Sequence, residues 1–210
     1  MGTKSLRLIF YLFYFVERVI HKLGLLYDSL MFKITLANPR IKYGYGIKSF
    51  GRPTFIVGKN ARLVIGNNVR MNDGRKNNFI GRDNKCLLRV MDGASLIIGN
   101  NVGMSSCAIV AGKKIVLGDN VRIGGNVVIY DTDFHSLIPE ERLSASDPGV
   151  QKREVIIDDN VFIGAHSIVL KGVHIGSNAV VGAGSIITRS IPANEIWAGN
   201  PAKLVKKLNC

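Results

Sequence analysis

The last third of the chain repeats a β-branched aliphatic residue at every sixth position. The repeating positions are Ile157, Ile163, Val169, Ile175, Val181 and Ile187. A period of six matches neither the 3.6-residue period of a helix nor the alternation of a flat strand. It is typical of a chain wound into a triangular parallel β-helix, with one flat face per hexad and three faces per coil. The pattern therefore predicts an all-β solenoid.

The residues between the repeating aliphatics also suit such a prism. Ile and Val at the inward position favour β conformation and fill the interior evenly. Small or aliphatic residues expected at the corners follow four positions later, at Val161, Ser167, Val173, Ala179, Ser185 and Ile191. Turn residues that tolerate a positive φ are expected at Gly164, Gly176, Gly182, Asn160 and Asn178. Weaker hexads upstream extend the predicted β-helix domain over residues 41–201.

The first 40 residues have a different pattern and predict an N-terminal amphipathic helical segment, 1–40. Apolar residues from Val16 to Leu30 follow helical spacing, and Asn38-Pro39 predicts the end of the helix. The apolar run Leu8 to Val16 is too short to span a bilayer, and no A-x-A-like cleavage site follows it. We favour packing of this helix on the solenoid or on a neighbouring subunit, because aromatic runs are more often buried. The alternative is peripheral membrane contact through residues 5–36.

Two further segments depart from the hexads. Residues 131–154 are polar and contain Pro139 and Pro148, and the repeat resumes after them. We expect a long loop that leaves the prism there, and such loops on rigid scaffolds tend to carry function. After Ile191-Pro192 the repeat stops, and residues 202–210 are predicted as a short basic C-terminal helix.

The chain is strongly basic, with 28 Lys and Arg against 15 Asp and Glu and a net charge of +13. This excess favours an anionic partner such as a phosphorylated cofactor or an anionic membrane surface. No nucleic-acid-reading module or aromatic–basic repeat is recognisable, so nucleic acid ranks last. The cysteines Cys86, Cys107 and Cys210 show no paired spacing. With no recognisable secretion signal, they favour a reducing, cytoplasmic location, with membrane association left open.

One histidine lies where the long loop leaves the prism. His135 follows Asp131 and Asp133 in the segment Asp131-Thr132-Asp133-Phe134-His135. A histidine there is a candidate general base, and either aspartate could orient its ring. The alternative is an ordinary solvent-exposed loop histidine.

Several motifs together resemble one known family. They are the hexads, the loop motif 131–135, and the segments 161–165, 175–185 and 198–203. The chain resembles the hexapeptide-repeat acyltransferases over about residues 55–208. Within them it is most similar to the maltose/galactoside O-acetyltransferase-like branch, which includes capsule and lipopolysaccharide sugar acetyltransferases. The N-terminal helical segment is not part of this resemblance.

The resemblance implies a fold, an assembly and a reaction. The fold is a left-handed parallel β-helix, and the assembly is a homotrimer with active sites between subunits. Acetyl-CoA is the co-substrate, lying along a groove, and no metal takes part. The family's loop histidine matches His135, which would deprotonate an acceptor hydroxyl that attacks the thioester directly.

The resemblance also implies which residues contact the cofactor. The small residues Ala165 and Ala183 would let the pantetheine arm approach the backbone. The remaining cofactor contacts carry over to Phe162, Thr188, Arg189, Lys203 and Lys206. Lys203 and Lys206 would meet the phosphates as point charges; the alternative for both is a solvated surface.

The residues expected to bind the acceptor depart from the pattern of the family that the chain resembles. Ser106 replaces an asparagine that faces the sugar and thioester, and a serine offers fewer hydrogen bonds. Ser106 and Asp133 are the candidate acceptor-binding residues. The loop sequence resembles polysaccharide-tailoring members, and the N-terminal cap of the free-sugar enzymes is not recognisable. We therefore expect a cell-envelope polysaccharide or lipid-linked sugar precursor as acceptor.

Other functions remain open. N-acetylation of an amino sugar and O-acetylation of serine are variants of the same reaction. A metal-dependent hydratase like the γ-class carbonic anhydrases requires three converging histidines. The chain has only His21, His135, His166 and His174, without the expected spacing. A non-catalytic scaffold or membrane-binding trimer is the third alternative.

Overall fold

The structure is a computed structural model that describes residues 3–74, 77–78, 80 and 84–209. A long helix, α1 (Thr3–Leu36), precedes the strands. The first twelve strands are β1 (Ile41–Tyr43), β2 (Lys48–Phe50), β3 (Thr54–Val57), β4 (Arg62–Ile65), β5 (Arg70–Asn72), β6 (Leu87–Val90), β7 (Ser95–Ile98), β8 (Gly103–Ser105), β9 (Ala108–Ala111), β10 (Lys114–Leu117), β11 (Arg122–Ile123) and β12 (Val128–Tyr130). A short helix and eight strands follow, namely α2 (Pro139–Arg142), β13 (Val155–Ile157), β14 (Phe162–Ile163), β15 (Ile168–Val169), β16 (His174–Ile175), β17 (Val180–Val181), β18 (Ile186–Ile187), β19 (Glu195–Gly199) and β20 (Ala202–Lys207).

These strands form the three faces of a parallel β-helix. The first sheet has the order β1-β4-β7-β10-β13-β16 and the second β2-β5-β8-β11-β14-β17-β19-β20. The third sheet has the order β3-β6-β9-β12-β15-β18. From β1 to β18, consecutive strands lie on successive faces, and each pairs in parallel with the strand one coil away. Before β19 the first face is represented only by a bridge between Ile191 and Ile175, and β20 pairs antiparallel. The solenoid predicted from the sequence is confirmed.

The six-residue repeat matches the rotation of the chain around the prism. Ile157 lies on the first sheet, Ile163 on the second and Val169 on the third, and each pairs with the hexad residue one coil later. All six repeating residues are fully buried, and the corner residues from Val161 to Ile191 are buried as well. Eighteen residues therefore complete one coil, and the interior is a continuous apolar column.

A ladder of asparagines runs along one corner of the prism. Its members all have φ between 56° and 61°, and they are Asn68, Asn101, Asn120, Asn160, Asn178 and Asn194. Each side-chain amide donates to the side-chain oxygen of the next, at 2.8–3.3 Å. Asparagine suits this corner because it tolerates the left-handed conformation and links adjacent coils.

The hexad glycines have a different role from the one expected. Gly164 and Gly176 do not adopt a positive φ. A Cβ on Gly164 would lie 2.5 Å from the backbone nitrogen of Ala183, and one on Gly176 the same distance from that of Ala193. These glycines are needed because adjacent coils approach too closely for a side chain.

The N-terminal segment is one continuous helix that ends at Leu36, just before Asn38-Pro39. Its C-terminal half contacts the prism: Phe32 and Leu36 are buried against the first coil, and the Phe32 ring contacts Phe55 edge-on. The guanidinium of Arg52 lies 5.7 Å from the centroid of the Tyr27 ring. Most large apolar side chains of α1 are exposed. Among the described residues, no helix is long and apolar enough to cross a bilayer.

The predicted C-terminal helix is wrong. Residues 202–207 form strand β20, which pairs antiparallel with β19. The edge of β19 presents unpaired backbone groups, and the returning chain satisfies them by pairing as a strand. Cys210, in the same predicted segment, lies outside the described residues.

Candidate active site

The long loop is fixed at its base by antiparallel pairing. Thr132 pairs with Lys152, the amide of Asp133 donates to the Gln151 carbonyl at 3.1 Å, and that of Arg153 donates to the Asp131 carbonyl at 2.9 Å. The loop therefore begins and ends at one point, at the corner between the third and first sheets. His135 lies just beyond this base.

The histidine ring is held by an aspartate from the far side of the loop. Nδ1 of His135 lies 2.9 Å from Oδ2 of Asp147, and the amide of Ser136 donates to Oδ1 of Asp147 at 2.8 Å. The histidine side chain is 71% exposed and that of Asp147 is 18% exposed. A carboxylate on Nδ1 favours the tautomer in which Nδ1 carries the proton and Nε2 is free to accept one.

These contacts also keep the aspartate charged. The backbone N–H of Ser136, and after it the imidazole of His135, hold the pKa of Asp147 below its ordinary value. Hydrogen bonds that favour the carboxylate form lower its pKa in this way.

The expectation that Asp131 or Asp133 orients His135 is therefore corrected. Asp131 is fully buried. Its carboxylate oxygens accept hydrogen bonds from three backbone N–H groups, those of Gly112 at 2.5 Å, Lys113 at 2.9 Å and Lys114 at 2.6 Å. It closes the turn of the coil below, because three converging N–H groups satisfy a buried carboxylate.

Asp133 instead ties the loop to the coil above. Its Oδ1 lies 2.7 Å from Nζ of Lys171, and both side chains are largely shielded from solvent. Its buried Oδ2 has no hydrogen-bond partner among the described residues. That oxygen leaves Asp133 a candidate for acceptor binding.

The interior of the loop is organised around Ser136. Its hydroxyl donates to Glu141 at 2.6 Å, and its carbonyl accepts from Nη1 of Arg142 at 2.8 Å. Both partners belong to α2, so this short helix braces the residue next to His135. The ring of Phe134 lies 5.4 Å from that of Tyr130 at the end of β12.

Three of the candidate cofactor residues, Phe162, Lys203 and Lys206, lie on another part of the prism, the second sheet. Paired positions on β11, β14, β17, β19 and β20 place Arg122, Phe162, Val180, Ile196 and Lys206 in one column. Phe162 is 49% exposed, so its ring is available for stacking. Lys206 lies three strands away from it in the same column.

An irregularity in the last strand pair aligns the two lysines. Lys203 pairs with Ala198 and Lys206 with Ile196, and the register shifts between Ile196 and Trp197. Directly paired residues lie on the same face of a sheet. Because Ala198 and Ile196 are two residues apart on one strand, Lys203 and Lys206 share that face. Without the shift, a spacing of three would place them on opposite faces.

The small residues Ala165 and Ala183 lie at the corner between the second and third sheets. A Cβ on Gly124 would lie 2.5 Å from the nitrogen of Ala165, and the Ala165 carbonyl accepts from Gly184 at 2.8 Å. Ser106 occupies the same corner two coils below Ala165. It has φ 44° and is buried, and its Oγ has no partner among the described residues.

Thr188 and Arg189 are not brought together with these alanines. They follow β18 at the corner between the third and first sheets, the corner from which the His135 loop emerges. The guanidinium of Arg189 lies 5.0 Å from the centroid of the Trp197 ring and covers the end of the prism. Within one chain, His135 and Ser106 therefore lie at the two different corners of the prism that bound the third sheet.

Sequence reasoning missed two features of the site. Asp147 is twelve residues from His135, and no local spacing marks the pair. A groove of about 650 Å³ lies beside Phe162 and is lined by Arg70, Asn72 and Arg122 among others. The alternation of strand residues could have placed both arginines on this outer face once the strand register was known.

Comparison with known proteins agrees with this architecture. Residues 154–189 match the family model described as the hexapeptide repeat of succinyl-transferase. The galactoside O-acetyltransferase of Lactococcus lactis is 40% identical over 101 residues, which cover 48% of this chain and 47% of that protein. A maltose O-acetyltransferase structure from Clostridium difficile is similar at 28% identity, with a TM-score of 0.52 over 79% of this chain and 71% of that one.

A further structure supports the fold alone. An N-acyltransferase from Bacillus cereus superposes with a TM-score of 0.63 at 22% identity, over 85% of this chain and 89% of that one. The expected left-handed parallel β-helix is confirmed. The chain spans about half the length of the curated relatives it matches. In its repeat, its fold and these relatives, the chain is similar to the hexapeptide-repeat acyltransferases.

Proposed function

We propose that this protein is an acetyl-CoA-dependent O-acetyltransferase that transfers the acetyl group to a sugar hydroxyl. The observation that carries this proposal is the His135–Asp147 pair on a loop whose base is fixed to the prism. The galactoside and maltose O-acetyltransferases among its relatives support acetyl transfer to a sugar.

His135 acts as the general base. Its Nε2 takes the proton of the acceptor hydroxyl, and the oxygen attacks the carbonyl carbon of the thioester. The carbon–sulfur bond then breaks, and the departing thiolate takes the proton back from the imidazolium. Asp147 fixes the Nδ1–H tautomer and stabilises the imidazolium while it exists.

The outer face of the second sheet suits an extended, phosphorylated cofactor. Lys206 is three strand spacings from Phe162, or about 14 Å, and Lys203 shares its face. Phe162 would pack against the cofactor, and the lysines would meet its phosphates. Ala165 and Ala183 would allow the pantetheine arm close to the backbone at the adjoining corner. Acetyl-CoA supplies the activated acetyl group when bound.

The site is completed by a second copy of the chain. The third sheet separates two corners of the prism. His135 lies at one of them, and Ser106, Ala165 and Ala183 lie at the other. A cofactor bound at the second corner therefore needs the loop of a neighbouring subunit. A homotrimer places each loop beside the next subunit's corner. Thr188 and Arg189 would then reach the cofactor from the same side as His135.

We infer the class of acceptor from the sequence motif of the loop and from the net charge of +13 of the chain. We propose a cell-envelope polysaccharide or lipid-linked sugar precursor, modified in the cytoplasm. The loop motif of residues 131–135 resembles that of the polysaccharide-tailoring branch. Ser106 and Asp133 each have a buried oxygen without a partner among the described residues, and these oxygens are candidate contacts for the acceptor.

The test is release of free thiol from acetyl-CoA in the presence of sugars, amino sugars or serine. We compare the wild type with His135→Gln and with the matched variant His174→Gln. His174 also pairs with an aspartate, Asp158, at 2.8 Å, but it belongs to strand β16 of the first sheet and not to the loop. We expect His135→Gln to lower turnover at least about a hundredfold and His174→Gln to leave it unchanged.

Other results would change the assignment. Equal turnover in His135→Gln and the wild type would exclude His135 as the base. Transfer to amino sugars or serine in place of hydroxyls of neutral sugars would assign one of the two related reactions. A protein that does not bind CoA at all would revive the scaffold alternative.

A further inference from the structure

Helix α1 carries an apolar surface that the rest of the chain does not cover. Between residues 19 and 34 its exposed side includes Ile20, Leu23, Leu26, Leu30 and Ile34, each 56–69% exposed. At 100° per residue these five positions fall within one stripe. The buried Phe32 and Leu36 lie on the opposite side of the helix, against the prism. The prism therefore holds the helix with its apolar stripe facing outward.

The preceding two turns are apolar on every side. All residues from Ile9 to Val16 are aliphatic or aromatic and 44–66% exposed. Eight consecutive positions pass more than twice around a helix. Contact with another helix buries only one stripe of such a segment, whereas insertion into the lipid interface surrounds it.

The charges on the helix distinguish the two partners that could cover this surface, a second copy of the chain and a lipid bilayer. Residues 1–50 contain eight Lys and Arg but only Glu17 and Asp28 as acids. The basic residues Arg7, Arg18, Lys22 and Lys33 are spaced by 11, 4 and 11, which places them along one flank of the helix. A second copy would bring the same positive flank against this one, whereas an anionic bilayer complements it.

We propose that α1 docks the protein on the surface of an anionic lipid bilayer, lying in the interface without crossing it. The apolar stripe and the segment 9–16 enter the boundary between headgroups and acyl chains, and the basic flank meets the lipid phosphates. Tyr11 and Tyr14 suit this depth because an aromatic ring with a hydroxyl prefers the boundary between apolar and wet surroundings. This inference is independent of the acetyl-transfer chemistry.

The experiment is co-sedimentation of the full chain with vesicles. One set contains equal parts of phosphatidylglycerol and phosphatidylcholine, and the other contains phosphatidylcholine alone. We expect the wild type to bind the anionic vesicles, to bind the neutral ones more weakly, and to lose part of the difference at high salt.

Two pairs of substitutions test the two parts of the surface. Leu23→Gln with Leu30→Gln removes apolar contact and preserves helix propensity, and we expect at least about tenfold weaker partitioning. The matched control is Leu137→Gln with Leu143→Gln, which changes two highly exposed leucines in the loop. Arg18→Gln with Lys22→Gln should weaken binding to anionic vesicles about fivefold per charge and leave binding to neutral vesicles unchanged.

Several outcomes would overturn the proposal. One is an absence of vesicle binding by the wild type, and another is equal loss in the α1 leucine variant and its loop control. A third is self-association that requires Leu23 and Leu30 without any vesicle binding, which would assign the surface to a second copy.

Discussion

The proposed chemistry of His135 depends on Asp147, a residue twelve positions away whose carboxylate contacts the imidazole ring. Asp147 contacts His135 through one oxygen and the amide of Ser136 through the other. It is therefore a positioning residue that also carries the negative charge facing the imidazolium. In Asp147→Ala we expect kcat to fall about tenfold to a hundredfold with an unchanged KM for acetyl-CoA. Steady-state kinetics for both substrates measure this split.

Asp147→Asn removes the charge but keeps one acceptor, because its amide oxygen can still accept from Nδ1 of His135 while the bond from the Ser136 amide is lost. We expect kcat in Asp147→Asn to lie between that of the wild type and that of Asp147→Ala. A rise in KM for acetyl-CoA equal to the loss of kcat would show collapse of the loop. The folded pKa of Asp147 is lowered, so its contribution to stability is present above the unfolded-state pKa. That contribution is lost as pH falls through the lowered value.

Among the elements, the asparagine ladder holds the coils in register along one corner. Asn120 has φ 60°, donates to Asn160 at 3.0 Å and accepts from Asn101 at 3.2 Å. In Asn120→Ala, both links are lost and an alanine is forced into the left-handed region. We expect the free energy of unfolding to fall by about 1–3 kcal/mol, measured by chemical denaturation.

Asn120→Gly separates the two causes, because glycine loses the links but adopts this φ without strain. We expect Asn120→Gly to lower the free energy of unfolding by about 1–2 kcal/mol less than Asn120→Ala does. Equal losses in the two variants would show that the side-chain links, and not the backbone conformation, dominate at this corner.

At the scale of the whole molecule, the proposed site needs two subunits. A subunit with His135→Ala retains the cofactor face, and one with Lys203→Ala and Lys206→Ala retains the loop. If both are inactive alone, refolding them as an equal mixture should restore about a quarter of the wild-type sites, as random assembly of a cyclic trimer gives. Thiol-release activity before and after co-refolding measures this. Activity that stays at the level of the separate variants would show that each site lies within one chain.

The repeat made most of the fold predictable. Each hexad places one aliphatic inside, and nothing in the long-range structure competes with that local pattern. The exceptions are instructive. The sequence predicts a basic helix over residues 202–210, but residues 202–207 form a strand because they pair with the edge of β19. The hexad glycines were correctly placed but serve close approach between coils.

The site was less predictable, because its partners are set by the loop. His135 is proposed from its place at the start of the loop, and Phe162 from the family resemblance. The sequence does not identify Asp147 as the partner of His135, because Asp131 and Asp133 lie closer to the histidine along the chain and spacing does not distinguish between them. Asp131 and Asp133 proved to be committed to the adjoining coils through backbone amides and Lys171. Which carboxylate faces the ring depends on the path of the loop, and the hexads contain no information on that path.

The pairing of Thr132 with Lys152 at the base of the loop affects how the length of this loop can change in evolution. Strands joined across it pair with partners 40 residues away, whereas later coils pair at 18. Closing the longer segment costs only about 0.7 kcal/mol more in chain entropy, since the cost grows with the logarithm of length. Insertions and deletions between Asp133 and Gln151 that keep His135 and Asp147 paired should therefore change which acceptor the proposed site recognises, at almost constant thermal stability. New acceptor specificities are open to this scaffold by altering the length of one loop.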